Sequence, residues 1–244
     1  MGKTVAIVSG KGGVGKSTIT SALGAAFAAK GKRVLAIDLD AGLRSLDIML
    51  GISSEMIYDF SDLISGSCEW KQTIYPCSCA KGLYVVPAPS DPAYTFDLSI
   101  VSKHISEIKN AFDYVILDSP AGLGNGFETA AKCAQTVLVT ATADPVCVRD
   151  AAKVNQALTL MGKEEILLIV NRARKSFFKK GLMKDLDEVI DTAGIRLISL
   201  LPELKDIAVR VNSGNLTGSP SSFSKEIGNL AERLEGRDAA LISI

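Results

Sequence analysis

Nine residues near the start of the chain, Gly10-Lys11-Gly12-Gly13-Val14-Gly15-Lys16-Ser17-Thr18, restrict its fold more than any other feature. They follow a strand-like apolar run, 4–9, and lead into an alanine-rich helical segment, 16–30. The pattern G-x-x-x-x-G-K-S between a strand and a helix wraps a phosphate chain. Its glycines let successive backbone N–H groups turn inward around phosphate oxygens. The helix N-terminus adds free N–H groups and the positive end of its dipole. Lys16 then reaches the outer phosphates, and Ser17 offers its hydroxyl to Mg2+. Thr18 is placed for the α-phosphate. A glycine turn that merely opens a helix is the competing reading, and the complete motif in its strand–helix context outweighs it. The loop thus predicts an α/β chain that binds ATP with Mg2+.

The rest of the chain alternates in the same way. Strands are predicted over 33–38, 82–87, 114–118, 136–140, 166–170 and 196–200, besides 4–9. Several are continuous apolar runs, as strands covered on both faces require. Helices are predicted over 16–30, 98–112, 126–133, 147–161, 179–193 and 222–234, with Gly31 and Gly162 where helix C-terminal glycines belong. This β-α order predicts a single-domain, doubly wound, mostly parallel sheet flanked by helices. The domain spans 1–244, with a tail from about 236. The stretch 52–92 is the least regular and reads as a surface excursion. The stretch 213–222 reads as a loop too short to link domains.

Bulk properties exclude several function classes. With 27 basic and 27 acidic residues, no global field draws the chain to nucleic acid or anionic lipid. No apolar run reaches the ~18 residues of a spanning helix. Met1-Gly2-Lys3-Thr4 leads straight into a strand, so no signal peptide is expected, and Ala6 breaks the myristoylation motif. The cysteines, Cys68, Cys77, Cys79, Cys133 and Cys147, read as reduced cytoplasmic thiols. Cys77-Ser78-Cys79 has poor spacing for a metal or redox site. His104 is the only histidine, which argues against a Ser-His-Asp hydrolase, and it reads as a surface or packing residue.

Lys11 is the unusual residue of the loop, because it sets a second cation beside Lys16. The run from Lys11 to Thr18 resembles the deviant Walker A loop of the MinD/ParA family of P-loop ATPases. Asp38-Leu39-Asp40-Ala41-Gly42-Leu43-Arg44-Ser45-Leu46-Asp47 is similar to switch I of that family's MinD branch. Asp118-Ser119-Pro120-Ala121-Gly122 is similar to its switch II. Tyr58-Asp59-Phe60 and Val148-Arg149-Asp150-Ala151 match further segments, and the similarity spans 3–235.

The resemblance implies a P-loop NTPase that hydrolyses ATP slowly to ADP and phosphate with Mg2+, and that forms a homodimer on binding ATP. Lys11 would cross the dimer to the partner's γ-phosphate, adding charge in trans as an arginine finger does. Asp40 would orient the attacking water. Ser17, with Asp38 and Asp118 acting through water, would hold Mg2+. Gly122 would give its N–H to the γ-phosphate and report its loss. Each aspartate could instead be a turn or cap residue. Asp40 and Asp118 close strands at their C-terminal ends, where α/β sheets place ligands, which favours the binding role. Asn171-Arg172 and Pro202-Glu203 resemble the family's two adenine-contacting segments.

The family's MinD branch implies a place in septum positioning, with a protein activator and an inhibitor or cargo as partners. It implies a cytoplasmic protein, peripheral on the inner face of the cell membrane. The chain departs from that branch at its end. Ile227, Leu230, Leu234 and Leu241 have near-helical spacing, but acids equal bases there and no basic cluster follows. Core packing of the last helix is the better reading, and 239–244 leaves only weak or partner-assisted membrane contact. Two other readings stay open. A ParA-like, DNA-bound positioning ATPase would use the basic run 172–180. A metal-cluster carrier or reductase subunit would use Cys77 and Cys79.

Overall fold

The structure is a computed structural model, and it describes residues 2–52, 56–174, 183–203 and 221–242. An eight-stranded sheet runs in the order β3-β4-β2-β5-β1-β6-β7-β8. Its strands are β1 (Lys3–Ser9), β2 (Val34–Asp38), β3 (Tyr75–Pro76), β4 (Leu83–Val86), β5 (Tyr114–Ala121), β6 (Thr136–Thr142), β7 (Glu165–Ala173) and β8 (Arg196–Pro202). All pairings are parallel except β3 with β4, so the expected doubly wound sheet is what forms. The short edge strand β3 was not expected. Two residues, one of them Pro76, give no alternation to read.

The described helices are α1 (Lys16–Ala29), α2 (Leu46–Met49), α3 (Phe60–Ile64), α4 (Leu98–Ile108), α5 (Asn125–Cys133), α6 (Pro145–Leu160), α7 (Leu186–Ala193) and α8 (Ser222–Leu234). Gly31 and Gly162 take positive φ after α1 and α6, as helix-terminating glycines do. The single helix expected over 98–112 ends at Ile108 and tightens into a 3-10 turn, Lys109–Ala111. α2 and α3 are one-turn helices that periodicity could not reveal. Of the helix expected over 179–193, α7 covers 186–193; residues 179–182 lie outside the described residues.

Period-two alternation explains the continuous apolar strands. Val5 and Ile7 point to one face, beneath α1 and α8, with Ile19, Leu23, Phe27, Ile227 and Leu230. Ala6 and Val8 point to the other, with Leu35, Ile37, Phe127 and Val148. Each fully buried aliphatic side chain stabilises the fold by roughly 1.5–3 kcal/mol. The burial of Phe223, Ile227, Leu230 and Ala231 makes α8 a core helix, as expected. The excursion 52–92 is tied in more firmly than its irregularity suggested, since Phe60 and Leu63 enter the core.

β1 lies at the centre, between β5 and β6. From β1 the chain winds to one side through β2, and after β5 it returns to the other through β6. The connections therefore part at the C-terminal ends of these strands, which leaves a crevice there. The glycine loop springs from that end of β1.

Candidate active site

The loop forms one wall of a cavity of about 470 Å3 lined by Gly12, Gly13, Gly15, Lys16, Ser17, Thr18, Asp40, Ala121 and Arg172 among others. Gly15 caps α1 with φ 99°, a left-handed value that a side chain strains to adopt. It also lies against Asn171, whose Nδ2 would be 2.4 Å from a Cβ placed on Gly15. The same Nδ2 donates to the carbonyl of Val14 at 2.7 Å. Asn171 thus braces the loop from β7.

Lys16 is buried, and its Nζ donates to Ser9 Oγ at 3.0 Å. Ser9 Oγ donates in turn to the carbonyl of Lys11 at 2.7 Å. Burial pushes the Lys16 ammonium below its ordinary range, and Asp118, Asp40 and Asp38 oppose this in that order. Lys11 itself is exposed. Its charge reaches Asp144, the cap of α6. Burial raises that carboxyl, but Thr142, the Cys147 N–H and Lys11 together hold it below its usual value.

The acids converge on the same crevice. Asp38 and Asp118 are register partners across β2 and β5. Asp38 accepts from the backbone N–H groups of Asp40 at 2.9 Å, Ser45 at 3.1 Å and Leu46 at 3.2 Å. It therefore pins the start of the switch-like segment. Burial nevertheless lifts its pKa to about 6. Asp118 is fully buried, and burial first and Asp38 second lift it to about 7. Its Oδ1 accepts from Thr20 Oγ1 at 3.0 Å, the Ser17 hydroxyl lies close enough to favour the charged form, and Oδ2 has no well-formed hydrogen bond. An orphaned, buried carboxylate oxygen beside a second carboxylate fits a cation. Among the described residues no cluster of three or more His, Cys, Asp or Glu forms a self-sufficient metal site. Two carboxylates and a serine suit Mg2+, which keeps waters and takes phosphate oxygens as further ligands. Asp40 is half-buried, lines the cavity, and is raised by burial against the pull of Lys16.

Other expected residues fall differently. Gly122 has φ 85°, and its N–H donates to the Ser9 carbonyl at 3.0 Å. A γ-phosphate would have to take it from Ser9. Arg172 lines the cavity in a left-handed conformation, φ 54°. Pro202 and Glu203 do not line it; the Glu203 carboxylate pairs with Arg174. In the basic run, then, Arg172 faces the cavity and Arg174 is engaged, while 175–180 lie outside the described residues. So do 213–220, Ser243 and Ile244. Cys77 is buried, and burial pushes its thiol well up. His104 is half-buried on α4 with Nδ1 unpartnered.

Sequence reasoning missed Ser9, Thr20 and Asp144. Thr20 could have been found, since it stands one helical turn beyond Lys16 and so shares its face. The carbonyl and N–H traffic through Ser9 leaves no sequence mark.

A family model described as an AAA domain matches residues 2–176. The septum site-determining protein MinD of Thermotoga maritima is 36% identical, covering 99% of this chain and 91% of that protein. A chain of the Aquifex aeolicus MinC:MinD cell division protein complex superposes with TM-score 0.91 at 32% identity, covering 99% of each chain. MinD of Pyrococcus horikoshii, solved as its Mg-ADP complex, superposes with TM-score 0.81 at 26% identity, covering 96% of each chain.

Proposed function

The chain belongs to the MinD family of septum site-determining P-loop ATPases, and from that premise we propose that it is an ATP-dependent dimerisation switch acting in the spatial regulation of cell division. The observation that carries this reading is the unpartnered Asp118 Oδ2, on the residue paired with Asp38 across β2 and β5, beside a glycine loop whose Lys16 is already buried in the crevice.

In this reading the loop N–H groups from Gly10 to Thr18 cradle the phosphates, and Lys16 leaves Ser9 for the outer phosphate oxygens. Ser17, with Asp38 and Asp118 acting through water, would hold Mg2+. Mg2+ supplies neutralising charge to the phosphates. Asp40 orients the attacking water. Asn171 and Arg172 border the adenine, with Pro202 and Glu203 following from the next strand. Gly122 exchanges Ser9 for the γ-phosphate, and that exchange couples nucleotide state to the segment 118–122. The Mg-ADP complex of the Pyrococcus horikoshii relative supports the ligand choice.

Lys11 and the apolar rim call for a second copy of this chain. Leu43, Ile48, Leu123 and Val146 are 74%, 56%, 50% and 49% exposed. All follow the C-terminal ends of β2, β5 or β6, around the nucleotide crevice. Exposed apolar residues grouped at one face mark an interaction surface. A partner docked there would cover them and bring its Lys11 to the opposite γ-phosphate. An inhibitor or cargo protein and an activator of hydrolysis complete the cycle, in line with the MinC:MinD complex of the Aquifex aeolicus relative. Attachment to a membrane would need a partner or a small contribution from 239–244. No helix among the described residues is long and apolar enough to cross a membrane.

The test is light scattering coupled to size exclusion, with ATP and Mg2+, on the wild type and on Asp40→Ala. An ATP-dependent dimer is expected, and it persists in Asp40→Ala because hydrolysis is blocked. A monomer under every condition sinks the switch.

A further inference from the structure

The strands begin at the end of the sheet opposite the phosphate loop. There the α1–β2 connection, the turn before β4 and the approach to β5 surround two cavities. The larger, about 540 Å3, is walled by Ala25, Ala28 and Ala29 of α1, by Ala80, and by Lys32, Arg33 and Lys81. The smaller, about 210 Å3, is an aromatic slot of Trp70, Tyr84 and Phe112 with Arg33 and Lys71. Arg33 lines both, so the two cavities share a wall.

Their charge is mainly positive. Four cations line the pair, against two acids at its edge: Glu235, and Asp113, whose Oδ2 accepts from the Arg33 backbone N–H at 2.7 Å. Lys32 reaches Glu235 at 3.5 Å. Arg33, Lys71 and Lys81 are exposed and make no ion pair among the described residues, and Lys71 rests over the Trp70 ring at 5.7 Å. In a chain with 27 basic and 27 acidic residues this surplus is local, so it attracts anionic groups to one place.

The anion is better a carboxylate than a phosphate. Phosphate sites use helix N-termini and convergent backbone N–H groups. The walls here are mostly hydrocarbon, and the C-terminal end of the α1 dipole, which opposes any anion, is outweighed by Lys32, Arg33, Lys71 and Lys81. Alanine and aromatic walls take apolar side chains, while Arg and Lys take the carboxylates between them.

We propose that these two cavities form one docking groove for an acidic segment of a partner protein, anchored by apolar side chains, with Arg33 gripping between the anchors. The groove lies at the opposite strand ends from the nucleotide crevice. A dimer closed over the nucleotides leaves both copies of it facing outward, so the partner can ride on either nucleotide state.

A defined probe tests this: a fluorescein-labelled peptide repeating Glu-Leu-Asp-Phe, offered to the full chain. The same peptide with lysine for each acid and an oligothymidylate serve as rivals. Trp70 is the only tryptophan of the chain, so its emission reports the slot directly. Saturable binding with Kd of about 10–100 μM and a shift in Trp70 emission is expected. Reversing two charges, Arg33→Glu with Lys81→Glu, should weaken it at least about tenfold. Ala29→Phe fills the larger cavity without touching charge and should weaken it too. ATP affinity should be unchanged in both variants, which shows that they fold. No saturable change up to about 1 mM peptide overturns the proposal. Equal binding of the lysine peptide overturns it as well, as does tighter binding of the oligothymidylate that depends on Arg33 and Lys81.

Discussion

Asp38 and Asp118 stand opposite one another across β2 and β5, one 1% exposed and the other fully buried. Burial, the main cause in each, pushes both carboxyls up, Asp38 to about 6 and Asp118 to about 7. Both values lie above the ~4 of an unfolded aspartate. Between about pH 4 and 7 the folded chain therefore holds more protons than the unfolded one, and stability falls as pH rises through that window. The nucleotide-free chain should gain stability from Asp118→Asn at about pH 7.5, by about 1–2 kcal/mol or a few degrees in melting temperature. The gain should shrink toward about pH 5, where the native carboxyl is already neutral. Differential scanning fluorimetry with a chelator measures it. A pH-independent difference would mean that the pair is not the source.

Gly15 and Asn171 lock the loop from opposite sides. Gly15→Ala forces a side chain into a left-handed conformation, at about 1–2 kcal/mol. It also drives Asn171 off the Val14 carbonyl, a bond worth about 0.5–1.5 kcal/mol. A loss of about 2–3 kcal/mol in urea unfolding and at least tenfold in ATP affinity is expected. Asn171→Ala removes the bond without the clash and should cost about 1 kcal/mol. In that background Gly15→Ala should cost less than it does alone, because the obstructing amide is gone. Strict additivity of the two changes would contradict the shared contact.

Lys11 is exposed and Lys16 is buried, although both belong to one loop. This difference separates their roles. Lys11→Ala should bind ATP within about threefold of the wild type yet show no ATP-dependent dimer in light scattering. Lys16→Ala should lose ATP binding itself. A Lys11→Ala protein that dimerises normally would remove the role in trans.

The phosphate loop, the strands and the long helices were legible because each imposes a local pattern: a glycine motif, apolar runs, capping residues. Asp38 and Asp40 were legible because the end of β2 fixes where they go, whereas Asp118 lies inside β5, which runs three residues past the expected strand end to Ala121. What escaped depends on contacts distant in sequence. The hold of Asn171 on Val14 joins residues 157 apart in sequence, and no local signal announces it. Gly122 gives its N–H to Ser9 because the register of β1 with β5 shifts between Ile7 and Ser9. That shift has no sequence signature. The charge surplus around Arg33 was hidden because its cations come from separate segments and the chain as a whole is neutral.

Arg233 fixes the end of the described chain through one buried acid. Glu226 is fully buried and accepts from Ser199 at 2.9 Å and Arg233 at 2.8 Å. Arg233 also donates to the carbonyl of Ile198, the extra residue where β8 shifts register against β7, at 2.7 Å. Its remaining nitrogens hold the carbonyls of Ala239 at 2.8 Å and Ala240 at 2.9 Å. One guanidinium therefore neutralises a core carboxylate and, with Asn229, whose Nδ2 donates to the Ala240 carbonyl at 3.3 Å, straps the tail to α8. Arg233→Ala strands a buried charge and should cost about 3–5 kcal/mol in urea unfolding. Adding Glu226→Gln should recover much of that stability, since the stranded charge is removed, but it cannot restore the strap. Protease digestion should then cut after residue 235 faster in the double variant than in the wild type at equal global stability. Equal cleavage rates would show that the tail is held by something other than Arg233.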